Sequence, residues 1–308
     1  MDSNAKLGAA FALGAAAGIA AAHVFQPSFC ATKAKESLAD QPARFAAQKA
    51  ANDTRALAIE QHFEGSLLKG KRVVVTGSNR GIGLSIVREA VACGASVVAT
   101  CRKASPELRA AGVDQIVEGV DVTKMSTMAA LTQALDGKAV DVLINNAGYF
   151  MVERESIVEK TMDYDEELKM IDICAVGLLR VTQAMFDAGC LKSGARVAMI
   201  TSQGGSIAWR DTQCPEGGDY GHHMSKAAAN MAGKLCANEL RGSGIAVSIL
   251  HPGFNRTDMT SKYSHIWDVE GAVDASVGAK RVLHEINLMT LDNSGSFINC
   301  EDGLVIPW

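Results

Sequence analysis

The stretch from Thr76 to Gly83 has residue types and a spacing that suit the binding of phosphate groups. It reads Thr76-Gly77-Ser78-Asn79-Arg80-Gly81-Ile82-Gly83. It follows the β-branched run Val73–Val75 and precedes the helix-like segment Leu84–Val91. Glycines between a strand and a helix let backbone N–H groups approach a pyrophosphate, and the helix N-terminus adds partial positive charge. Because both flanking elements are present, the spacing predicts dinucleotide binding rather than an ordinary turn.

A second charged position follows the next strand-like segment. Arg102 and Lys103 come directly after Ser96–Cys101, where a dinucleotide-binding fold contacts the adenosine ribose. An acid at this position accepts a hydrogen bond from the ribose 2′-hydroxyl of NAD, whereas an arginine suits the 2′-phosphate of NADP. The acid is absent, so the sequence favours NADP over NAD. The alternative is that Arg102 is a solvated surface charge.

These residues need a scaffold in which several strand ends meet. From Leu67 onward, strand-like and helix-like segments alternate, which is typical of a parallel sheet covered on both faces. The predicted strands are Arg72–Thr76, Ser96–Cys101, Gln115–Val120, Val140–Ile144, Ala195–Ile200, Ile245–Leu250 and Gly295–Ile298. The predicted helices include Met125–Leu135, Asp165–Leu191 and a run that begins at Ser225. The fold class is therefore α/β, a doubly wound, mainly parallel Rossmann-type sheet of about seven strands.

The first 66 residues differ in composition from the alternating body of the chain. The segment from Leu7 to Thr32 is rich in alanine and glycine, and its length suits a membrane span of roughly 20 residues over residues 7–26. A cleaved targeting sequence and an alanine-rich helix packed on protein, or disordered, are the alternatives. We therefore divide the chain into an apolar segment (1–32), a surface helix or semi-rigid linker (33–66) and a single domain (67–308).

Composition and charge narrow the class of protein. The net charge is −4 and the basic residues are dispersed, which argues against nucleic-acid binding. The eight cysteines form no C-x-x-C pair and no metal-ligand spacing, so we predict no metal and free thiols in a reducing compartment. The bases that follow the apolar segment, Lys33, Lys35 and Arg44, place the domain of an anchored protein on the cytosolic or equivalent side. An organelle-targeted soluble protein is the alternative localisation.

Two motifs in this order resemble the short-chain dehydrogenase/reductase family. The first is Thr76–Gly83, with its wide glycine spacing and leading threonine, and the second is Asn145-Asn146-Ala147-Gly148 after the fourth predicted strand. The resemblance covers about residues 70–308 and implies hydride transfer between NAD(P) and a small carbonyl or alcohol, often by a homo-oligomer. Further pieces resemble the carbonyl-reductase-like branch of sniffer and C-signal type: Gly205-Ser206-Ile207, Gly217-Gly218, Met224–Ala228, Arg256–Met259 and Pro307-Trp308.

The resemblance also implies roles for individual residues around the cofactor. Arg80 is a second base within reach of the 2′-phosphate, and Asp121 with Val122 contacts the adenine ring. Further residues would lie under the central part of the cofactor, against its nicotinamide ribose or beside the nicotinamide: Asn146, Ala147, Gly148, Lys226, Pro252 and Gly253.

The catalytic group that the resemblance implies is only half present. Ser202 stands where a serine orients the substrate oxygen, and Lys226 where a lysine lowers the pKa of a catalytic tyrosine. His222 replaces that tyrosine four residues before Lys226, and Cys174 replaces the helix asparagine of the proton relay. Neutral imidazole is a very poor acid, and the Lys226 ammonium disfavours imidazolium. A histidine can still hydrogen-bond a carbonyl or accept a proton.

The residues leave two functions open. One is an NADP-dependent oxidoreductase with an atypical catalytic centre, in which His222 or the nearby Tyr220 acts on the substrate. The other is a catalytically inactive NADP-binding scaffold, or a regulatory subunit of a membrane-associated assembly. A metal site on His222 and His223 lacks a convergent third ligand. The substrate determinants fall in 203–219 and 257–269, where Trp209, Tyr263, Ile266 and Trp267 either line an apolar pocket or pack within surface loops.

Overall fold

The structure is a computed structural model that describes residues 38–151 and 153–308. Residues 7–26, to which we assigned a membrane anchor or a targeting role, lie outside these ranges, and both assignments stay predictions. Within the described residues, every helix is too short or too polar to cross a bilayer.

Apolar runs of the described chain form a seven-stranded sheet in which all neighbouring strands are parallel. Its strands are β1 (Arg72–Thr76), β2 (Ser96–Thr100), β3 (Gln115–Val117), β4 (Val140–Asn145), β5 (Leu191–Ile200), β6 (Ala246–His251) and β9 (Phe297–Asn299). Two short strands, β7 (Asn255–Arg256) and β8 (Val273–Asp274), pair separately. The sheet order is β3-β2-β1-β4-β5-β6-β9, which confirms the predicted doubly wound fold.

Helices cover both faces of this sheet. They are α1 (Gln41–Ala50), α2 (Thr54–Leu57), α3 (Gly81–Ala92), α4 (Pro106–Arg109), α5 (Met128–Leu135), α6 (Tyr164–Ile171), α7 (Gly177–Asp187), α8 (Arg210–Gln213), α9 (Tyr220–Leu240) and α10 (Ala275–Asn287). Short 3₁₀ turns occupy Ile59–Gln61, Gly65–Leu68, Met125–Thr127, Gln203–Gly205, Arg241–Ser243 and Asp258–Ile266. Val74 packs with the α5, α7 and α9 side of the core, whereas Val73 and Val75 pack with the α3 and α10 side. The β1 run is therefore apolar throughout because both faces are covered.

The segment predicted as one long helix over Asp165–Leu191 is interrupted. Helices α6 and α7 are joined by a π-helical turn, Asp172–Val176, and β5 already begins at Leu191. Cys174 lies in this turn, where its Sγ donates to the backbone oxygen of Tyr149 and accepts from the backbone N–H of Tyr149, both at 3.4 Å. Single π-turns inside helices are frequent at functional sites.

Residues 38–68 pack onto the domain rather than forming a semi-rigid linker. Ile59 and Leu68 are buried, and α1 places Arg44 3.0 Å from the carboxylate of Glu301. Arg55 of α2 pairs with Glu285 of α10 in the same way. The predicted helical character is present, but buried ion pairs hold these helices against the carboxyl-terminal loop, so the segment is part of the folded domain.

Candidate active site

The carboxyl ends of the strands open into one cleft of about 1290 Å³. It lies at the position where the strand order reverses between β1 and β4, which is where doubly wound sheets bind ligands. The loops after β1, β2, β4, β5 and β6 contribute to its walls, together with the first turns of α9.

The loop after β1 is locked to the end of β4. The Thr76 hydroxyl accepts from the backbone N–H groups of Asn146 and Ala147 at 3.0 Å, and the Asn146 amide donates to the Thr76 carbonyl at 2.9 Å. Gly77 has φ +66°, and a Cβ there would lie 2.7 Å from Ala147 Cα. A Cβ on Gly83 would overlap the Asn146 side chain and the Gly77 carbonyl. The two motifs therefore form one structural unit that requires glycine at both positions.

Helix α3 presents an open N-terminus to the cleft. It begins at Gly81, no side chain caps it, and Gly81, Ile82 and Gly83 line the cleft with Asn79. Uncapped N–H groups in the first turn of a helix bind anions such as a pyrophosphate. Ser78 differs from the rest of the predicted set because it is fully buried and its hydroxyl donates to the Val75 carbonyl at 2.7 Å. Its side chain supports the loop rather than facing a ligand.

Three arginines line the end of the cleft beyond β2. Arg80 and Arg102 were predicted there, and Arg88 of α3 joins them. Within the described residues, none of the three forms an ion pair, so their charges are available to a ligand. Asp121 and Val122 line the same end. Burial opposes ionisation of Asp121, but hydrogen bonds from Thr123 and the charges of Lys124 and Arg102 lower its pKa.

Ser202, His222 and Lys226 line the same cleft at its other end. Ser202 begins the turn after β5, and its hydroxyl accepts from the backbone N–H of Gly204 at 3.0 Å. His222 and Lys226 lie one turn apart on α9 and so share a face of the helix. A Cβ on Gly204 would lie 3.0 Å from His222 Nε2 and 3.2 Å from Ser202 Oγ, so this glycine contacts both side chains.

Lys226 of α9 and Cys174 of the π-helical turn both lie near Gly148 of the second motif. A Cβ on Gly148 would lie 3.9 Å from both Lys226 Nζ and Cys174 Sγ. The structure thus gathers Ser202, His222, Lys226 and Cys174 around Gly148 and Gly204, although the Cys174 side chain is buried against Tyr149 and does not line the cleft.

His222 is held in its neutral form. Burial among protein atoms and the neighbouring Lys226 charge lower the pKa of His222 well below its ordinary value. The ring packs against Phe150 with centroids 4.3 Å apart, and Nδ1 is buried without a hydrogen-bond partner among the described residues. At neutral pH the imidazole can donate or accept a hydrogen bond in the cleft but carries no charge.

Tyr220 is not brought to this group of residues. It is the first residue of α9 and lies outside the cleft lining, because it stands six positions before Lys226 and this spacing puts the two side chains on different faces of the helix. Among the described residues, His222 and His223 are not part of a cluster of three or more His, Cys, Asp or Glu side chains placed to hold a metal ion.

The turn at Pro252 and Gly253 is held in place by a hydrogen bond from its backbone to Glu301. Gly253 has φ +82°, and the Glu301 carboxylate accepts from the backbone N–H of Phe254 at 3.1 Å. Glu301 in turn pairs with Arg44, and the Arg44 and Arg281 charges lower its pKa although burial raises it. His251, buried nearby, has its pKa lowered to about 4 by burial. Helix α1 is therefore connected to this turn through a single carboxylate.

Several residues that line the cleft were not predicted from the sequence, because no motif or spacing indicated them. Ala39, Asp40, Gln41 and Pro42 form part of the wall, and the side chains of Gln41 and Gln203 are hydrogen-bonded to each other. Only the tertiary packing of α1 brings them there. Phe150, two residues after the second motif, could have been found from that position. The sequence analysis proposed four apolar side chains for the substrate pocket. Two of them, Tyr263 and Ile266, line the cleft. Trp209 is buried beneath Arg44, and Trp267 lies outside the cleft lining.

The chain is similar to proteins of one family along most of its length. The sequence profile described as "short chain dehydrogenase" matches residues 71–266. The 1-hydroxy-2-glutathionyl-2-methyl-3-butene dehydrogenase of Rhodococcus sp. strain AD45 is 32% identical over 238 residues, which is 77% of this chain and 99% of the relative. The C-signal protein of Myxococcus xanthus is 38% identical over 55% of this chain and 93% of its own length.

Solved structures show the same similarity. NADPH-bound carbonyl reductase from chicken fatty liver superposes with a TM-score of 0.66 at 25% identity, over 78% of this chain and all of that structure. The carbonyl reductase Sniffer of D. melanogaster gives a TM-score of 0.64 at 22% identity over the same share of this chain. With the cleft, both motifs and the strand order in agreement, the chain belongs to the short-chain dehydrogenase family.

Proposed function

We propose that the protein is an NADP(H)-dependent oxidoreductase that interconverts a carbonyl and an alcohol. The observation that carries the proposal is that Ser202, His222 and Lys226 line the same cleft as the Gly77–Gly83 loop. Its family relatives include a dehydrogenase and structures of carbonyl reductases, which supports this reaction class.

The residues present fit NADP. The glycine loop leaves room for a pyrophosphate at the uncapped start of α3, and Arg80, Arg88 and Arg102 offer cations to the 2′-phosphate. The chicken carbonyl reductase structure contains NADPH, whereas a 3-oxoacyl-[acyl-carrier protein] reductase of Brucella melitensis at 25% identity was solved with NAD. The choice of NADP therefore depends on the arginines. Lys226 would hold the nicotinamide ribose, and Pro252 with Gly253 would flank the nicotinamide.

The cofactor supplies the hydride, and the residues of the chain position the carbonyl. Ser202 Oγ and His222 donate hydrogen bonds to the carbonyl oxygen, which favours the negative charge that develops on it. Because burial and Lys226 lower the pKa of His222, the fraction of imidazolium that can deliver a proton is small at neutral pH. We therefore propose that the reduction rate rises as the pH falls towards the pKa of His222, which lies well below the ordinary histidine value of about 6.5.

The second candidate is a cofactor-binding protein without turnover. It is favoured by Cys174, whose Sγ is engaged with the backbone of Tyr149, and by the neutral state of His222. The deciding experiment compares NADPH oxidation by wild type, His222→Phe and His222→Tyr over a panel of aldehydes, ketones and quinones. Loss of activity in the Phe variant supports a reductase that uses His222. If wild type oxidises NADPH with none of the substrates whereas His222→Tyr gains turnover, the result supports a cofactor-binding protein without catalytic activity.

We propose that two copies associate through the two long helical faces. Leu168 of α6, Leu179 of α7 and Met231 and Leu235 of α9 are exposed apolar side chains, from 38% to 64% accessible. A charged substitution, Leu235→Glu, is expected to produce a smaller species in light scattering, with Lys192→Glu as the surface control. An unchanged mass would contradict the proposal.

We also propose that residues 7–26 attach the protein to a membrane with the domain on the reducing side, and the alternative is targeting to an organelle. Fractionation of the full chain beside a variant that starts at Leu38 tests this. Full-length protein recovered uncleaved in the soluble fraction would exclude the anchor.

A further inference from the structure

Arg210 is a half-buried cation in the wall of the cleft that lacks an acidic partner. It begins α8 and lines the cleft on the side of His222 and His223. Its Nε donates to the Ser206 carbonyl at 3.0 Å, and its Nη2 donates to the Gln203 carbonyl at 3.1 Å and to the Gln213 side chain. All these acceptors are neutral, and no carboxylate of the described residues forms an ion pair with Arg210.

The remaining terminal nitrogen, Nη1, carries two N–H groups and has one hydrogen-bond neighbour among the described residues. Its nearest polar neighbour is His223 Nδ1 at 3.2 Å, but that nitrogen also lies 2.9 Å from the Gly204 carbonyl. A carbonyl oxygen only accepts, so the 2.9 Å contact favours the tautomer in which His223 Nδ1 carries the proton and donates to Gly204. A protonated ring nitrogen offers no lone pair to Arg210. In either tautomer of His223, at least one N–H of Nη1 is unpaired within the described residues, and leaving a half-buried charge without an acceptor is costly.

The acids of the cleft are occupied elsewhere or solvated. Asp219 lies 3.5 Å from the Lys262 ammonium and accepts from the Tyr263 hydroxyl at 3.2 Å. Asp40 caps α1 by accepting from the backbone N–H of Ala43. Burial raises the pKa of Glu270, which favours its neutral form, and Glu216 is exposed. The charge of Arg210 is thus not neutralised from within the cleft.

Arg210 lies close to the residues that would hold the reacting carbonyl. Gly204 contacts both the Ser202 hydroxyl and the His222 ring, and its carbonyl is bound by His223, the neighbour of Arg210 Nη1. The Arg210 guanidinium is therefore linked to Ser202 and His222 through the His223 side chain and Gly204. Arg210, Ser202 and His222 all line the same cleft of about 1290 Å³, so one small molecule bound there can contact all three.

We propose that Arg210 binds a carboxylate on the substrate, and that the substrate class is an oxo acid or an aldehyde acid. This inference rests on the proposed oxidoreductase function. A guanidinium is the side chain best suited to hold a carboxylate by charge-assisted hydrogen bonds. In the reduction, the carbonyl carbon gains the hydride of NADPH, the oxygen gains a proton, NADPH becomes NADP⁺ and the carboxylate is unchanged.

Matched acids and esters test the proposal on the full-length protein. The pairs are 4-carboxybenzaldehyde with methyl 4-formylbenzoate, and 4-oxopentanoate with its methyl ester. We expect kcat/KM for NADPH oxidation to be about tenfold to a hundredfold higher with each acid than with its ester. Equal or higher kcat/KM with the esters overturns the proposal without any variant.

Three variants separate a specific contact from a structural role. In Arg210→Gln the ratio of kcat/KM for the acid to that for the ester should fall to about one, and Arg210→Lys should retain part of the preference. The control is Arg154→Gln, because Arg154 is an exposed arginine that pairs with Glu159 outside the cleft lining. It should leave the preference unchanged. Equal losses for acid and ester in Arg210→Gln, with NADPH affinity unchanged, would indicate a merely structural role and overturn the proposal.

A binding measurement distinguishes this failure from failure of the proposed function. If NADPH binds but no substrate is turned over, the oxidoreductase function is wrong. Calorimetry of the NADP⁺-loaded protein with 4-carboxybenzaldehyde and its ester then decides the role of Arg210. Binding of the acid to wild type with at least tenfold weaker binding to Arg210→Gln supports the site. Indistinguishable binding of acid and ester, or none, overturns it.

Discussion

At the cofactor end of the cleft, one continuous loop and two strand ends form the surface. At the substrate end, the surface consists of side chains from four segments that are distant in the sequence. The first end is built mainly from the backbone of Gly77–Gly83, locked by Thr76 and Asn146. The second combines 39–42, 149–150, 203–223 and 254–270. A backbone site depends on local geometry, but a site made of distant side chains depends on the packing of the whole domain. The predictions below test this difference.

The largest effect is expected at Lys226, which lies where the two ends meet. Lys226→Met should lower kcat by about a hundredfold or more, because the ammonium that we propose to hold the nicotinamide ribose in position is lost. The control is Lys234→Met on the same helix, since Lys234 donates to the Gly295 carbonyl and lies outside the cleft lining. Steady-state NADPH oxidation checks both, and a Lys226 variant as active as the Lys234 variant would contradict the assignment.

Arg44 tests how far the substrate end depends on tertiary packing. Arg44→Met removes a buried cation and leaves Arg281 as the one cation of the described residues that is paired with Glu301, so we expect the free energy of unfolding to fall by about 3–5 kcal/mol. Lys49→Met on the exposed face of the same helix should change it by less than about 1 kcal/mol. Urea unfolding measures both. A stability equal to wild type in Arg44→Met would mean that α1 is not held by this pair.

The same ion pair predicts a dependence on pH. The pKa of Glu301 is lowered in the folded protein, so its contribution is complete above the ordinary glutamate pKa of about 4.3 and is lost as the pH falls through the lower folded value. The difference in unfolding free energy between wild type and Glu301→Gln should therefore shrink in acid. A difference that grows as the pH falls would reverse this assignment.

Gly83 tests the cofactor end by steric overlap. Gly83→Ala places a Cβ into the Asn146 side chain and the Gly77 carbonyl, and overlap of this kind costs about 1–3 kcal/mol. We expect NADPH affinity to fall by about tenfold to a hundredfold, measured by fluorescence titration. Gly242→Ala, where a Cβ meets open space, is the matched control. Similar affinity in both variants would show that the loop does not bind the cofactor closely.

Arg102 should produce the smallest and most selective effect. Arg102→Ala is expected to weaken NADPH about tenfold, because one charge-assisted contact to a phosphate is lost at an exposed position. NADH affinity should stay the same, since NADH has no 2′-phosphate. Calorimetric titration of both cofactors measures the ratio. An equal loss for the two, or none for NADPH, would place the 2′-phosphate elsewhere or favour NAD.

The start of α9 shows why part of the site was beyond prediction. The predicted helical run began at Ser225, whereas the helix begins at Tyr220 and thereby places His222 on the cleft. Asp219, the N-cap residue that precedes the helix, offers no side-chain acceptor to the backbone N–H groups of the first turn. Glu155, far away in the sequence, accepts instead from the backbone N–H of Gly221 at 2.7 Å. When the free backbone N–H groups at the start of a helix are hydrogen-bonded by a distant carboxylate, the neighbouring sequence contains no capping residue that predicts where the helix begins.

The sequence by itself determined the strands, the glycine loop and the pairing of His222 with Lys226. These depend on short-range physics: β-branched runs that need burial on both faces, glycines that admit backbone contacts, and the helical spacing of four residues. The predicted strands agree with the seven observed strands within a few residues at their ends.

Only the tertiary structure decided which side chains form the substrate end. It split the long helix at Cys174, excluded Tyr220 from the cleft and packed α1 against Gln203 and Glu301. It also left Arg210 with neutral acceptors, although its sequence neighbours include Asp211. The physical reason is that burial and ion pairing are properties of contacts between distant segments. No local periodicity encodes whether a charge will find a partner.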